Sequence, residues 1–242
     1  MRRLHPTYAE SAELVSEYAY PGDRIWVRAN MVSSVDGSAV VDGRSEGLSG
    51  AADKKVFGVL RGLCDVVLVG AGTARAEGYR APSAKARYAE ARASSGQRPA
   101  PVLALVSRSL ELDPTSALFT GPQPTIVVTT ESASSSAAER LGDIALLVVA
   151  GEDEVDIGSA LDQLAALGLT RVLCEGGPHL LAEVVAAGRL DELCATVSPQ
   201  LVAGDGPRIL TGRESAAPVR LRLAHLLEED DYLFARYLVT PA

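Results

Sequence analysis

Short apolar runs rich in β-branched residues recur along the chain, and most are followed by a stretch whose apolar positions return every third or fourth residue. Ile25 to Val32, Asp65 to Gly70, Val102 to Val106, Thr125 to Thr130, Ile144 to Val149 and Val172 to Cys174 read as strands. The unbroken Val/Leu run of 65–70 is that of a strand buried on both faces. Helical spacing marks Ala51 to Leu63, Ser134 to Leu141, Ile157 to Leu167 and the segment after Gly176-Gly177-Pro178. Such alternation predicts an α/β fold with a parallel sheet and helices on both faces. Leu193 to Val197, Arg220 to Leu226 and Tyr232 to Val239 read as strands with no helix between them, an antiparallel edge on a mixed, mainly parallel central sheet.

Between these elements, Leu14, Val15 and Tyr18 show helical spacing, Pro21-Gly22-Asp23 makes a turn, and Ser38 to Val41 reads as a short return strand. The expected organisation is one domain over 1–242, with an N-terminal extension at 1–24 and a Lys/Arg/Ser/Ala-rich mobile surface insertion at 80–98.

Composition narrows the class. The chain has 242 residues, 47% hydrophobic and 22% charged, which is ordinary for a folded protein with one large core. A formal charge of −8 argues against a nucleic-acid or anionic-membrane surface, and no apolar stretch reaches the ~20 residues of a membrane helix. A cytoplasmic protein is expected. Cys64, Cys174 and Cys194 are scattered through apolar segments and read as buried thiols rather than as a disulfide or zinc framework. No metal site is expected, and P-loop, metalloprotease and G-x-S-x-G signatures are missing.

The candidate chemistry sits at strand ends. Gly70-Ala71-Gly72-Thr73 and Glu175-Gly176-Gly177-Pro178-His179 each place glycines just past a strand, where helix-start amides can approach a phosphate, although glycines that merely turn the chain are an equal alternative. Arg75 stands where a G-x-G-x-x-G fingerprint needs its third glycine. Strand alternation puts Asn30, Val32 and Ser34 on one face, either lining a pocket or leading into a turn capped by Asp36 before Gly37. Glu77 and Glu175 are isolated carboxylates beside glycines, suited to accept from a ligand hydroxyl or amine or to relay a proton. Ser107-Arg108 follows a strand and suits a terminal phosphate, including the 2′-phosphate that separates NADP from NAD.

In this order and spacing the motifs resemble the reductase half of riboflavin-biosynthesis deaminase-reductases, the pyrimidine reductase family with a dihydrofolate reductase-like fold. Ser34-Val35-Asp36-Gly37, Leu60-Arg61, Val69-Gly70-Ala71-Gly72-Thr73, Val106-Ser107-Arg108, Glu175-Gly176-Gly177-Pro178 and Leu190-Asp191-Glu192-Leu193 carry the likeness over roughly 25–239. The resemblance implies a stand-alone, actinobacterial-type reductase, since the deaminase zinc signatures are not found. It implies NADPH as hydride donor and reduction of 5-amino-6-(5-phosphoribosylamino)uracil to its ribitylamino product. By matching position, Val32, Gly70, Gly72, Thr73, Glu77, Ser107, Arg108 and Gly176 would border the cofactor, and Gly177, Pro178, His179, Leu180 and Leu181 would cradle its pyrophosphate. Asn30, Ser34, Ser45, Arg61 and Glu175 would face the substrate, with Asp36 and Glu77 as catalytic candidates that orient it and assist proton delivery. A homodimer is also implied.

This chain departs from the family at Glu77-Gly78-Tyr79, where many members have Asp followed by Asp-Pro. The usual substrate-phosphate arginine lacks an aligned match, with Arg80, Lys85 and Arg87 close by, and Gly47-Leu48 replaces an aromatic residue. Reduction of a pteridine, as in dihydrofolate reductase, is the alternative reaction. A non-catalytic NADP-binding module is the alternative class.

Overall fold

The computed structural model describes residues 1–22, 24–212 and 217–240; Asp23 of the predicted Pro21-Gly22-Asp23 turn lies outside them. The described residues build one ten-stranded sheet in the order β1-β9-β10-β8-β2-β7-β3-β4-β5-β6. Its strands are β1 (Arg2–His5), β2 (Trp26–Ser34), β3 (Val66–Gly70), β4 (Val102–Val106), β5 (Thr125–Thr129), β6 (Ala145–Val149), β7 (Arg171–Cys174), β8 (Glu192–Ser198), β9 (Leu221–Glu229) and β10 (Tyr232–Val239). Neighbours from β8 to β6 pair in parallel. β10, β9 and β1 add an antiparallel edge. The mixed, mainly parallel α/β sheet flanked by helices is therefore the one its alternating pattern predicts.

Helices cover both faces because odd and even strand residues are alike apolar. Val67, Val69, Leu103, Leu105, Val127 and Leu173 pack with α2 (Ala51–Leu63) and α5 (Glu131–Leu141), and α3 (Ala71–Ala76) adds Ala71 and Ala74 to this layer. Val66, Leu68, Ala104, Ile126, Val128 and Val172 pack with α6 (Ile157–Ala166) and α7 (Pro178–Ala186) on the other side. The three thiols are free and buried. Burial pushes the Cys174 thiol up to about 12, so it behaves as a core group and not as a nucleophile.

Three local expectations are corrected. Ser38 to Val41 is not a strand: only an isolated bridge joins Val41 to Arg44 there, because Ser38 turns back to bond Ser34. The 1–24 segment is more than a helical extension. β1 pairs with β9 and the Met1 ammonium meets Glu229 at 2.7 Å, ahead of the short α1 (Leu14–Glu17). The 80–98 segment is not a simple surface insertion either. Its α4 (Ala89–Ser94) and the preceding 3-10 turn bury Tyr88 and Arg92 against α2, and the Arg92 guanidinium donates to the Gly62, Cys64 and Arg98 carbonyls.

Under the antiparallel half lies a buried ionic cluster. Glu192 accepts from Arg28, Arg236 and the Trp26 indole, with Arg28 also donating to the Tyr18 carbonyl. Burial would raise the Glu192 carboxyl, but the Arg28 and Arg236 charges outweigh it and hold the group at about 2. The opposite face of this half carries Leu193, Ala195, Val197, Leu226, Leu233 and Tyr237, paired side by side across β8, β10 and β9 and, apart from buried Ala235, exposed or half-buried.

Candidate active site

Chain order and spatial order part company in the middle of the sheet. β7, though late in sequence, lies between β2 and β3, so the loops leaving these three strands share one end. Open α/β sheets bind ligands at such switch points. A cleft of about 820 Å³ opens there.

The two glycine turns form one side of it. Gly70 N–H donates to the Gly176 carbonyl at 2.7 Å, and Gly177 N–H donates to Thr73 Oγ1 at 2.9 Å. Gly176 has φ +77, a left-handed conformation that suits glycine. A Cβ on Gly177 would stand 2.5 Å from Thr73 Oγ1, so the turns approach as closely as they do only because that position has no side chain. Pro178 opens α7 at its first position, where no backbone N–H is needed. Thr73, Gly177 and Pro178 line the cleft.

The floor is ionic. Glu175, 6% exposed, accepts from Arg61 Nε at 2.7 Å, from Arg61 Nη2 at 2.6 Å and from the Tyr79 hydroxyl at 2.7 Å. The guanidinium lies 4.3 Å from the Phe57 ring centroid and 5.0 Å from that of Tyr79. Burial would lower the Arg61 pKa, but the Glu175 charge more than offsets this and raises it. Burial, reinforced by the same charge, pushes the Tyr79 phenol well up, so it stays protonated and donates.

Glu77 accepts from Ser45 N–H at 2.7 Å, and both residues line the cleft with Asn30 and Val32. Lys54, Arg80, Lys85 and Arg87 also reach it. Among the described residues none of these four cations takes part in an ion pair.

The structure therefore brings together Asn30, Val32, Ser45, Arg61, Thr73, Glu77, Glu175, Gly177 and Pro178. The other expected site residues are not among those that line the cleft. Asp36 does not line the cleft: its carboxylate accepts from Ser34 Oγ and the Val202 and Ala203 amides, which hold it at about 2 and make it a loop clamp. Ser34 is buried in the same turn, outside the cleft lining. Leu180 and Leu181 send their side chains into the core, and the Leu181 amide is taken by the Gly177 carbonyl. Ser107 is buried and accepts from Leu110 N–H, while Arg108 pairs with Glu154, both off the cleft. Gly70 and Gly176 tie the turns together, Gly72 is exposed with open space beside it, and His179 is exposed at the start of α7. Sequence reasoning missed Asp53, Phe57 and the docking of 80–98. The i, i+4, i+8 stripe Asp53, Phe57, Arg61 on α2 was the available signal.

A switch-point cleft with paired glycine turns, a buried carboxylate and a cationic wall defines an α/β protein with the makings of a nucleotide-cofactor enzyme. The chain belongs to the RibD C-terminal domain family, which it matches over residues 25–232, the reductase domain of riboflavin-biosynthesis deaminase-reductases. It is 27% identical over 220 residues to a 2,5-diamino-6-ribosylamino-4(3H)-pyrimidinone 5′-phosphate reductase of Methanothermobacter thermautotrophicus, covering 89% of this chain and 99% of that one. Another protein of that name, from Archaeoglobus fulgidus, is 24% identical over 216 residues, with 88% and 99% covered. A crystal structure of a pyrimidine reductase-like protein from Corynebacterium diphtheriae superposes with a TM-score of 0.82 at 27% identity, over 91% of this chain and 94% of that one.

Proposed function

We propose that the protein is an NADPH-dependent reductase that converts a 6-ribosylaminopyrimidine 5′-phosphate to its ribitylamino form. The ring is either the uracil implied by the sequence resemblance or the 2,5-diaminopyrimidinone for which the archaeal relatives are named. The observation that carries this reading is the joining of the two glycine turns beside a cleft also lined by four cations that form no ion pair among the described residues.

The residues present fit the cofactor. Pro178 and the glycine beside it leave the start of α7 free of bulk, so that the His179 and Leu180 amides can meet a pyrophosphate. A dihydronicotinamide cofactor held by these residues would supply a hydride, which together with a proton on nitrogen reduces the C=N bond of the ring-opened ribosylamine. Thr73 and Gly177 hold the turn against which that ring would rest. Arg61 and Tyr79, both anchored on Glu175, shape the substrate side, and Glu77 lies where its carboxylate can orient a sugar hydroxyl. Arg80, Lys85 and Arg87 offer positive charge to the 5′-phosphate, in place of the arginine that the family pattern would put elsewhere.

Oxidation of NADPH by the purified protein with each ring form, and with dihydrofolate as comparison, tests the reading. Turnover of a ribosylamino phosphate is expected. Replacing Arg80, Lys85 and Arg87 together by Ala should raise its KM by about 10-fold to 100-fold with kcat little changed. No oxidation with either ring form defeats the proposal, and turnover of dihydrofolate alone transfers it to pteridines.

Homodimerisation belongs to the same reading, with Leu193, Leu226, Leu233 and Tyr237 of the open sheet face meeting their counterparts in a second copy. Light scattering should give twice the mass of one chain, and Leu233→Glu with Tyr237→Glu should halve it. A wild-type monomer at micromolar concentration contradicts this.

A further inference from the structure

We propose that Gly58, Tyr88, Arg87 and Lys54 form an oxyanion seat in the cleft, built to hold a phosphate dianion. The seat rests on the reductase reading only for its tie to a substrate; anion binding by itself stands apart from that reading.

Gly58 lies inside α2, where glycine costs helix stability relative to alanine. Packing supplies no reason for it. The atoms within 4 Å of the place a Cβ would take are Arg87 Nη2 at 3.5 Å and the Tyr88 hydroxyl oxygen at 3.8 Å, which is ordinary contact. One turn on, Gly62 differs, because the Tyr88 ring fills the space above it. An open place is thus kept on the cleft face of the helix, bordered by two hydrogen-bond donors. Tyr88 lines the cleft and is 6% exposed, yet among the described residues its hydroxyl has no hydrogen-bond partner. A phenol so placed ordinarily finds one. Burial raises its pKa, with Arg87 opposing, so it stays protonated and donates. The Arg87 guanidinium lies 5.1 Å from the Tyr88 ring centroid, a contact that steadies it over Gly58. Lys54 stands one turn before Gly58 on the same helix face. Both cations line the cleft, and neither takes part in an ion pair among the described residues.

Two cations around one neutral O–H donor suit a dianion with three terminal oxygens, one for each donor, which is the pattern of a phosphate group. A carboxylate brings one charge and two oxygens and leaves a cation uncompensated. The same group has two sources: the phosphate end of a substrate already in the cleft, or free phosphate from solution. From either source it bridges α2 to the 80–98 segment, since Gly58 and Lys54 belong to the helix and Arg87 and Tyr88 to the segment.

The test compares the wild type with Gly58→Ala and Tyr88→Phe. One arm is calorimetry with inorganic phosphate, the other the ratio of kcat/KM for a ribosylamino phosphate to that for its dephosphorylated form. Neither substitution removes a charge, so a merely diffuse positive field would register neither. Inorganic phosphate should bind the wild type with a millimolar Kd. It should bind about 10-fold more weakly to Gly58→Ala, whose methyl takes the place of an oxygen, and about 5-fold more weakly to Tyr88→Phe, which lacks one donor. The melting temperature should rise by about 1–4 °C in Gly58→Ala and stay near wild type in Tyr88→Phe, which separates lost binding from lost structure. Where the substrate's phosphate uses the seat, both variants also lower the ratio by similar factors, through KM and not kcat, and inorganic phosphate competes with the substrate. Where free phosphate is the ligand, the ratio holds and only binding falls. Either result upholds the seat. Unchanged phosphate affinity together with an unchanged ratio in both variants overturns it, as does a wild type that neither binds phosphate nor prefers the phosphorylated form. Phosphate binding that weakens as expected in a protein that turns over no ribosylamine keeps the seat and removes the reductase reading.

Discussion

Replacement of Glu175 by Gln is expected to lower kcat/KM by about 100-fold or more and to cost about 3 kcal/mol of stability. Both Glu175 oxygens are committed, one to Arg61 Nε and the other to Arg61 Nη2 and the Tyr79 hydroxyl. An amide turns one of these acceptors into a donor that faces guanidinium hydrogens, and it leaves the Arg61 charge uncompensated in a largely buried place. The Glu175 side chain is 2% exposed and that of Arg61 28%, so water replaces little of what is lost. Arg61 and Tyr79 then leave the positions in which Phe57 and Glu175 hold them, and the substrate side of the cleft loses its shape. NADPH affinity, which on the proposed reading depends on the neighbouring glycine turn, should change by less than about 5-fold. Steady-state kinetics, thermal unfolding and NADPH titration on one preparation check this. Activity within about 3-fold of wild type would remove Glu175 from the site.

The second large effect is expected from one methyl group near the C-terminal end of α2. A Cβ on Gly62 would lie 2.5 Å from Tyr88 Cδ2 and 2.6 Å from its Cγ, close to the root of a buried ring that cannot swing aside. Gly→Ala inside a helix ordinarily stabilises by about 0.5–1 kcal/mol. Here displacement of Tyr88 should reverse the sign to a net loss of about 1–3 kcal/mol. Because Tyr88 and Arg92 anchor the segment that carries Arg80, Lys85 and Arg87 to the cleft, Gly62→Ala should also raise the KM of the phosphorylated substrate about 10-fold. Tyr88→Leu added to Gly62→Ala should recover part of both losses. A Gly62→Ala protein as stable as wild type with unchanged KM would show that 80–98 is positioned by other contacts.

The same segment marks where sequence reading runs out. Its many charged and small residues make it resemble a solvated insertion, yet two of its side chains are buried by features on α2: the room left at Gly62 and the carbonyls at the helix end. The cations within it could be named in the sequence, but their arrival at the cleft could not. Asp36 shows the reverse case. A carboxylate before a glycine at a strand end looks like a site residue, and its engagement by the Val202 and Ala203 amides depends on a loop far along the chain.

By itself the sequence determined the strands of the parallel half with helices α2, α5, α6 and α7, the antiparallel edge, and the glycine turns with Glu175 and Arg61, because periodicity and turn chemistry act over a few residues. Only the tertiary structure decided that β7 sits between β2 and β3, and with it that the 70–73 and 176–178 turns touch, that Asp53 and Tyr79 share their cleft, and that β1 closes the sheet edge. These are pairings between distant segments, set by which faces and edges bury best against one another, and local pattern carries no record of them.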